Sequence, residues 1–202
     1  MNLLYALDII GTFVFAISGI RLAAKKDMDI FGATVIGFVT AVGGGTTRDV
    51  LLGSYPVTWV HDLNYAIVIL LALPFTFIFR KYIVSMHRTF FVFDTVGIAL
   101  FTISGMQKTL NLGINEGLAI TMGMVSAVVG GVIRDMLCNE IPLIFRKEIY
   151  ATACLSGALV FFLLDKYQIF SPNINYIATV LTIIVIRIVA IKYNLSLPKM
   201  RA

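Results

Sequence analysis

Across 202 residues, 59% of the side chains are hydrophobic, 13% are charged, and the formal net charge is +5. Soluble domains carry about 25% charged residues, so this composition, with a mean hydropathy of +0.93, excludes a water-facing globular surface. Soluble enzymes, secreted disulfide scaffolds and nucleic-acid binders are set aside with it.

Seven apolar segments follow one another: approximately residues 3–23, 30–53, 63–79, 90–107, 117–138, 149–164 and 174–191. Each approaches the roughly 17 to 25 residues that a helix needs to cross a bilayer. The connections are short and polar, such as Lys25-Lys26-Asp27 and Ser171-Pro172-Asn173. The expected fold is an all-α polytopic membrane protein of seven transmembrane helices, in a single transmembrane domain. The N-terminus has no basic region and no cleavage site, so the first segment is expected to remain as a helix.

Charge sets the orientation. The first, third and fifth loops and the C-terminal tail hold Arg21, Lys25, Lys26, Arg80, Lys81, Arg88, Arg146, Lys147, Lys192, Lys199 and Arg201. The other side holds Lys108 and Lys166. Excess Lys and Arg stay cytoplasmic, which places the N-terminus outside and the C-terminus in the cytoplasm of a cell inner (plasma) membrane protein. Tyr5, Tyr55, Trp59, Tyr65, Tyr150, Tyr167, Tyr176 and Tyr193 fall near segment ends, as interfacial anchors do. Arg187 lies about one turn from the inner end and is expected to snorkel. Cys138 and Cys154 read as reduced core residues.

The chain repeats itself. Val42-Gly43-Gly44-Gly45-Thr46-Thr47-Arg48-Asp49 is echoed by Val128-Val129-Gly130-Gly131-Val132-Ile133-Arg134-Asp135, an offset of 86 residues. The same offset pairs Asp8 with Asp94, Gly11 with Gly97, Phe15 with Phe101, Ser18 with Ser104 and Pro56 with Pro142. Three segments per copy is an odd number, so the copies enter the membrane from opposite sides, an inverted 3+3 repeat. Repeat one covers approximately residues 3–80, repeat two approximately 89–165, and a seventh helix approximately 173–192 follows. Such repeats are common in channels and carriers, with the site between the copies.

The repeated positions share helix faces. Asp8, Gly11, Phe15 and Ser18 recur at three- and four-residue steps, as do Asp94, Gly97, Phe101 and Ser104. The glycine runs Gly43, Gly44, Gly45 and Gly130, Gly131 are expected to kink or break the second and fifth helices, since glycine weakens a helix interior by about 1 kcal/mol. Arg48 and Asp49 are adjacent and about 100° apart on a helix, so other partners are expected. By depth, Asp8 falls opposite Arg48, and Asp94 opposite Arg134. Two ion pairs are therefore expected. They either constrict the two ends of a pathway or merely neutralise charge within the bundle. The candidate pathway residues are Asp8, Ser18, Thr46, Thr47, Arg48, Asp49, Asp94, Ser104, Arg134 and Asp135. The four aspartates outnumber Arg48 and Arg134, leaving the expected pathway net acidic. No catalytic, metal-binding or phosphate-binding motif is present, and no cofactor is expected; His61 and His87 lie on opposite sides.

Seven segments, the three-plus-three repeat and the doubled Gly-Gly-x-x-Arg-Asp motif resemble the prokaryotic trimeric intracellular cation channel (TRIC) family, also catalogued as glycine transporters. The resemblance covers nearly the whole chain. It implies a homotrimer in membrane lipid with a pore in each subunit, passing the monovalent cations K+ and Na+. It also implies that kinked second and fifth helices line that pore, through Gly43, Gly44, Gly45, Arg48, Asp49, Gly130, Gly131, Arg134 and Asp135. Val129 departs from a full triple glycine in the second copy. A carrier of a small zwitterion such as glycine is the alternative, because paired acidic and basic groups suit an ammonium and a carboxylate.

Overall fold

The computed structural model describes residues 3–84, 87–146 and 149–198. The sequence assignments to Lys147, Lys199, Arg201 and the Arg88 side chain lie outside what is described. The helices are α1 (Leu3–Lys25), α2 (Ile30–Leu51), α3 (Thr58–His61), α4 (Leu63–Ile78), α5 (Arg80–Ile83), α6 (His87–Asn111), α7 (Glu116–Leu137), α8 (Ala151–Lys166) and α9 (Pro172–Lys192). Each of the seven apolar segments carries a helix. Among the described residues, α1, α2, α6, α7 and α9 are long and apolar enough to cross a membrane, whereas α4 and α8 have 16 residues each.

Local chemistry explains the ends. Asp29 caps α2 by accepting from the Gly32 amide at 2.7 Å, and Asn115 caps α7 by accepting from Leu118 at 3.0 Å. These side chains satisfy amides that have no partner within the helix. α1, α2, α7, α8 and α9 are each followed by a left-handed residue: Asp27, Gly53, Asn139, Gln168 and Asn194. The next amide then bonds back into the last turn, as from Ser54 to Asp49 at 2.9 Å and from Glu140 to Asp135 at 2.8 Å. This closure satisfies carbonyls at the helix end. Buried Thr40, Thr76, Thr102 and Thr109 donate to carbonyls four residues back in their own helices, as apolar surroundings demand.

α1, α2, α6 and α7 form the centre, with α1 on α2 and α6, α6 on α7, and α2 crossing α7. α4 lies against α1, and α8 and α9 pack together against α6 and α7. The rings of Phe15 and Phe101 stack at 5.2 Å where α1 meets α6.

Helical structure runs without interruption through Gly43, Gly44 and Gly45 and through Gly130 and Gly131. Neither glycine run therefore breaks its helix. A Cβ on Gly44 would sit 2.9 Å from the carbonyl carbon of Ser126, and one on Gly130 would press the Thr40 carbonyl. Small residues let two backbones approach, and that contact is what these two glycines supply. By contrast, a Cβ on Gly45 would meet nothing nearer than Arg48 Nη2 at 3.7 Å.

Three further expectations change. Arg187 does not snorkel: it is 1% exposed, reaches the Ile149 carbonyl at 3.3 Å and lies over the rings of Phe91 and Tyr150. Arg21 is not a loop charge but a buried residue of α1 that donates to the Ile83 carbonyl at 2.5 Å. Tyr65, Tyr150 and Tyr176 are buried rather than interfacial. Cys138 and Cys154 are free and buried.

Candidate functional site

The candidate residues collect into two clusters on α1, α2, α6 and α7. Asp8 and Ser18 are separated by ten residues of α1, about 15 Å at 1.5 Å per residue, so the clusters lie at different depths.

Around Asp8, residues from both sequence repeats meet. The hydroxyls of Tyr65 and Ser104 donate to Asp8 Oδ2 and Oδ1 respectively. Arg48 does not reach Asp8; it contacts Asp49 Oδ1 at 2.8 Å through both Nε and Nη2. Its Nη1 points across the helix crossing to Ser126 Oγ at 3.5 Å. The expected Asp8–Arg48 pair is thus absent among the described ion pairs. The expectation that Arg48 avoids its neighbour is also wrong. A long guanidinium folds back over the adjacent carboxylate, which the 100° separation of the two Cβ directions does not prevent.

Asp49 accepts three more bonds, from Lys108 Nζ at 2.7 Å, the Thr58 amide at 2.9 Å and the Thr58 hydroxyl at 2.7 Å. Thr46 accepts from Trp59 Nε1 at 3.1 Å, whereas Thr47 turns back to the Gly43 carbonyl of its own helix. A cavity of about 230 Å³ adjoins this cluster, lined by Tyr5, Asp8, Arg48, Thr58, Ser104 and Lys108. A second, of about 430 Å³, shares Tyr5, Thr58 and Lys108 with it and extends to Asp62 and His61. Asp62 accepts from the Tyr5 hydroxyl at 2.6 Å, and this bond holds its carboxyl below the usual carboxylate range.

Around Asp94 the arrangement is different. Arg134 Nη1 donates to Asp94 Oδ1 at 2.9 Å and to Ser18 Oγ at 2.8 Å, while Nε holds Asp135 at 2.8 Å. Here the expected pair forms. Asp94, Arg134 and Ser18 are 0% exposed, and the Phe90 ring lies 4.7 Å from the guanidinium carbon. Asp135 also accepts from the Leu143 amide at 3.1 Å.

Sequence reasoning missed Lys108, Thr58, Tyr65, Tyr150 and Ser126. Lys108 is more than a loop charge: it adds a cation on Asp49, where the aspartates alone imply a negative excess. Around Asp8 the two carboxylates now face two cations. Around Asp94, Asp94 and Asp135 share Arg134, and the buried cations Arg21 and Arg187 lie close by over the rings of Phe90 and Tyr150. Ser126 was findable, since it is the 86-residue partner of Thr40.

The family model described as Glycine transporter matches residues 5–81 and 91–166. The UPF0126 inner membrane protein YadS of Escherichia coli (strain K12) is 42% identical over 200 residues, covering 97% of this chain and 95% of its own. A UPF0126 membrane protein of Vibrio cholerae serotype O1 is 39% identical over 198 residues, covering 98% and 82%. Among solved structures, the TRIC trimeric intracellular cation channel orthologue from Rhodobacter sphaeroides superposes with a TM-score of 0.90 at 36% identity, over 96% of this chain and 100% of that one. A second structure, described in terms of conductance through TRIC cation channels, gives 0.85 at 35% identity over 98% and 97%. These relatives are membrane proteins and channels, not enzymes. The chain is a membrane protein of the bacterial glycine transporter (UPF0126) family, the prokaryotic family that includes the TRIC channels.

Proposed function

We propose that the protein is a monovalent cation channel that passes K+ and Na+ through a pore within each subunit of a homotrimer. The observation that carries this reading is the match to a TRIC channel at a TM-score of 0.90 over 96% of the chain. Local geometry supports it: two charged clusters flank the crossing of α2 and α7, and water-sized space reaches Asp8, Arg48 and Ser104.

In this reading the spans are α1, α2, α4, α6, α7, α8 and α9, with α1 to α4 and α6 to α8 forming the inverted repeat and α9 the added seventh helix. Reciprocal contacts favour the repeat: Gly44 meets the Ser126 carbonyl while Gly130 meets that of Thr40, and both pairs obey the 86-residue offset. The two stretches matched by the family model begin 86 residues apart as well, at 5 and 91. The lysine and arginine distribution puts Asp8 on the outer side and Asp94 on the cytoplasmic side. The protein would then sit in the inner membrane with its C-terminus in the cytoplasm. The outer half is open to water and the inner half closed by Arg134 and Asp94.

A glycine carrier is the second reading. It is favoured by the family description and by the apposed carboxylate and guanidinium groups. Proteoliposomes separate the two. Passive K+ and Na+ flux that rises linearly with gradient and ignores glycine supports the channel. Saturable glycine counterflow without K+ flux would replace it by the carrier.

A further inference from the structure

The two clusters contain the same parts in different states. Within the repeats, Tyr65-Ala66 and Lys81-Tyr82 line up with Tyr150-Ala151 and Lys166-Tyr167 at an offset of 85 residues. One residue is lost between Pro142 and Tyr150, so Tyr150 is the counterpart of Tyr65. Asp94 and Ser18 likewise correspond to Asp8 and Ser104.

On the outer side Tyr65 donates to Asp8 Oδ2, Ser104 donates to Oδ1, and Arg48 rests on Asp49. On the inner side Arg134 takes up Asp94 Oδ1 and Ser18. The two atoms that would complete the inner counterpart of that arrangement, Asp94 Oδ2 and the Tyr150 hydroxyl, have no hydrogen-bond partner among the described residues, although both residues are buried. The Tyr150 hydroxyl lies 3.2 Å from where a Cβ on Gly131 would stand, and unpartnered Arg134 Nη2 faces the same glycine at 3.6 Å. Buried polar atoms left unpaired are costly, and in a bistable element another state can pair them.

We propose that Tyr150 is the positioning residue that receives Asp94 when the inner half opens. Asp94 leaves Arg134 and accepts from Tyr150 and Ser18, as Asp8 does from Tyr65 and Ser104, while Arg134 stays on Asp135. Closed and open inner halves thus differ by which donor holds Asp94. This rests on the channel reading above.

The test is Tyr150→Phe in the full-length protein, recorded in planar bilayers and melted in detergent beside the wild type. Loss of a hydrogen bond to a carboxylate made only in the open state should lower the ratio of open to closed time roughly tenfold or more, with unitary conductance unchanged. Thermal stability should stay equal or rise, because the deleted hydroxyl has no partner in the closed state. A merely structural tyrosine would leave the open time alone. Wild-type openings with an unchanged Y150F overturn the switch and leave the channel standing, and so does a Y150F that melts earlier. A wild type that passes no K+ current overturns the channel reading and the switch with it.

Discussion

Alanine at Gly44 and at Gly45 should have opposite effects, although the two glycines are neighbours in one motif. On Gly44 a Cβ would lie 2.9 Å from the carbonyl carbon of Ser126 and 3.3 Å from the Gly130 amide nitrogen. The Ser126 oxygen would be nearer still. Ordinary contact begins at 3.4 Å, so α7 must retreat by at least 0.5 Å at its carbonyl carbon. Both neighbours are backbone and cannot rotate away. Overpacking costs about 1–3 kcal/mol, and a rigid neighbour places G44A at the upper end. On Gly45 the nearest atom is Arg48 Nη2 at 3.7 Å, the end of a flexible side chain. There alanine gains up to about 1 kcal/mol of helix propensity. The two variants should therefore differ by about 2–4 kcal/mol, or roughly 5–15 °C in melting temperature for a chain of this size. Thermal unfolding of the purified proteins in one detergent reads the difference. If G45A is as damaging as G44A, the glycines are needed for backbone freedom rather than for the helix crossing, and the packing argument fails.

Arg134→Gln should cost about 3–5 kcal/mol, because it leaves Asp94 and Asp135 buried without their cation. Arg48→Gln should cost clearly less, since Asp49 keeps Lys108 and Thr58; equal melting temperatures would contradict this. Lys108→Met removes a partly exposed cation from the outer cavity and should raise K+ conductance at 0.1 M salt. The gain should fade at 1 M, as the screening length shrinks from about 10 Å to about 3 Å. Glu140 bridges Lys26 at 2.7 Å and Arg146 at 2.9 Å, and the Lys26 bond holds its carboxyl below the ordinary value of 4.5. A lowered carboxyl pKa stabilises above the unfolded value and loses that contribution as pH falls through the folded one. The melting-temperature gap between wild type and Glu140→Gln should therefore be present at pH 7 and vanish as pH drops below 4.5. A gap that persists in acid would exclude the bridge as its source.

The helices were legible because they rest on local pattern: apolar length and caps such as Asp29 and Asn115. The second ion pair was legible too, because helix depth alone aligns Asp94 with Arg134. What escaped depended on which of several donors wins a carboxylate. Asp8 has Tyr65, Ser104 and Arg48 within reach of one depth, and the choice is set by packing of α4 on α1 rather than by spacing. Lys108 escaped for a similar reason, since its long stem carries the charge back from the end of α6 to Asp49. The contact made by Gly44 and Gly130 escaped because propensity speaks only of weakness, whereas a neighbouring helix turns the missing Cβ into contact.

Single-channel recording of the purified wild-type protein, in a planar bilayer under a K+ gradient with and without glycine, tests the central claim most directly. The account predicts discrete currents that reverse near the K+ potential and ignore glycine. Electrical silence, together with saturable glycine counterflow in liposomes, would contradict it and turn the Arg48 and Arg134 clusters into a substrate site.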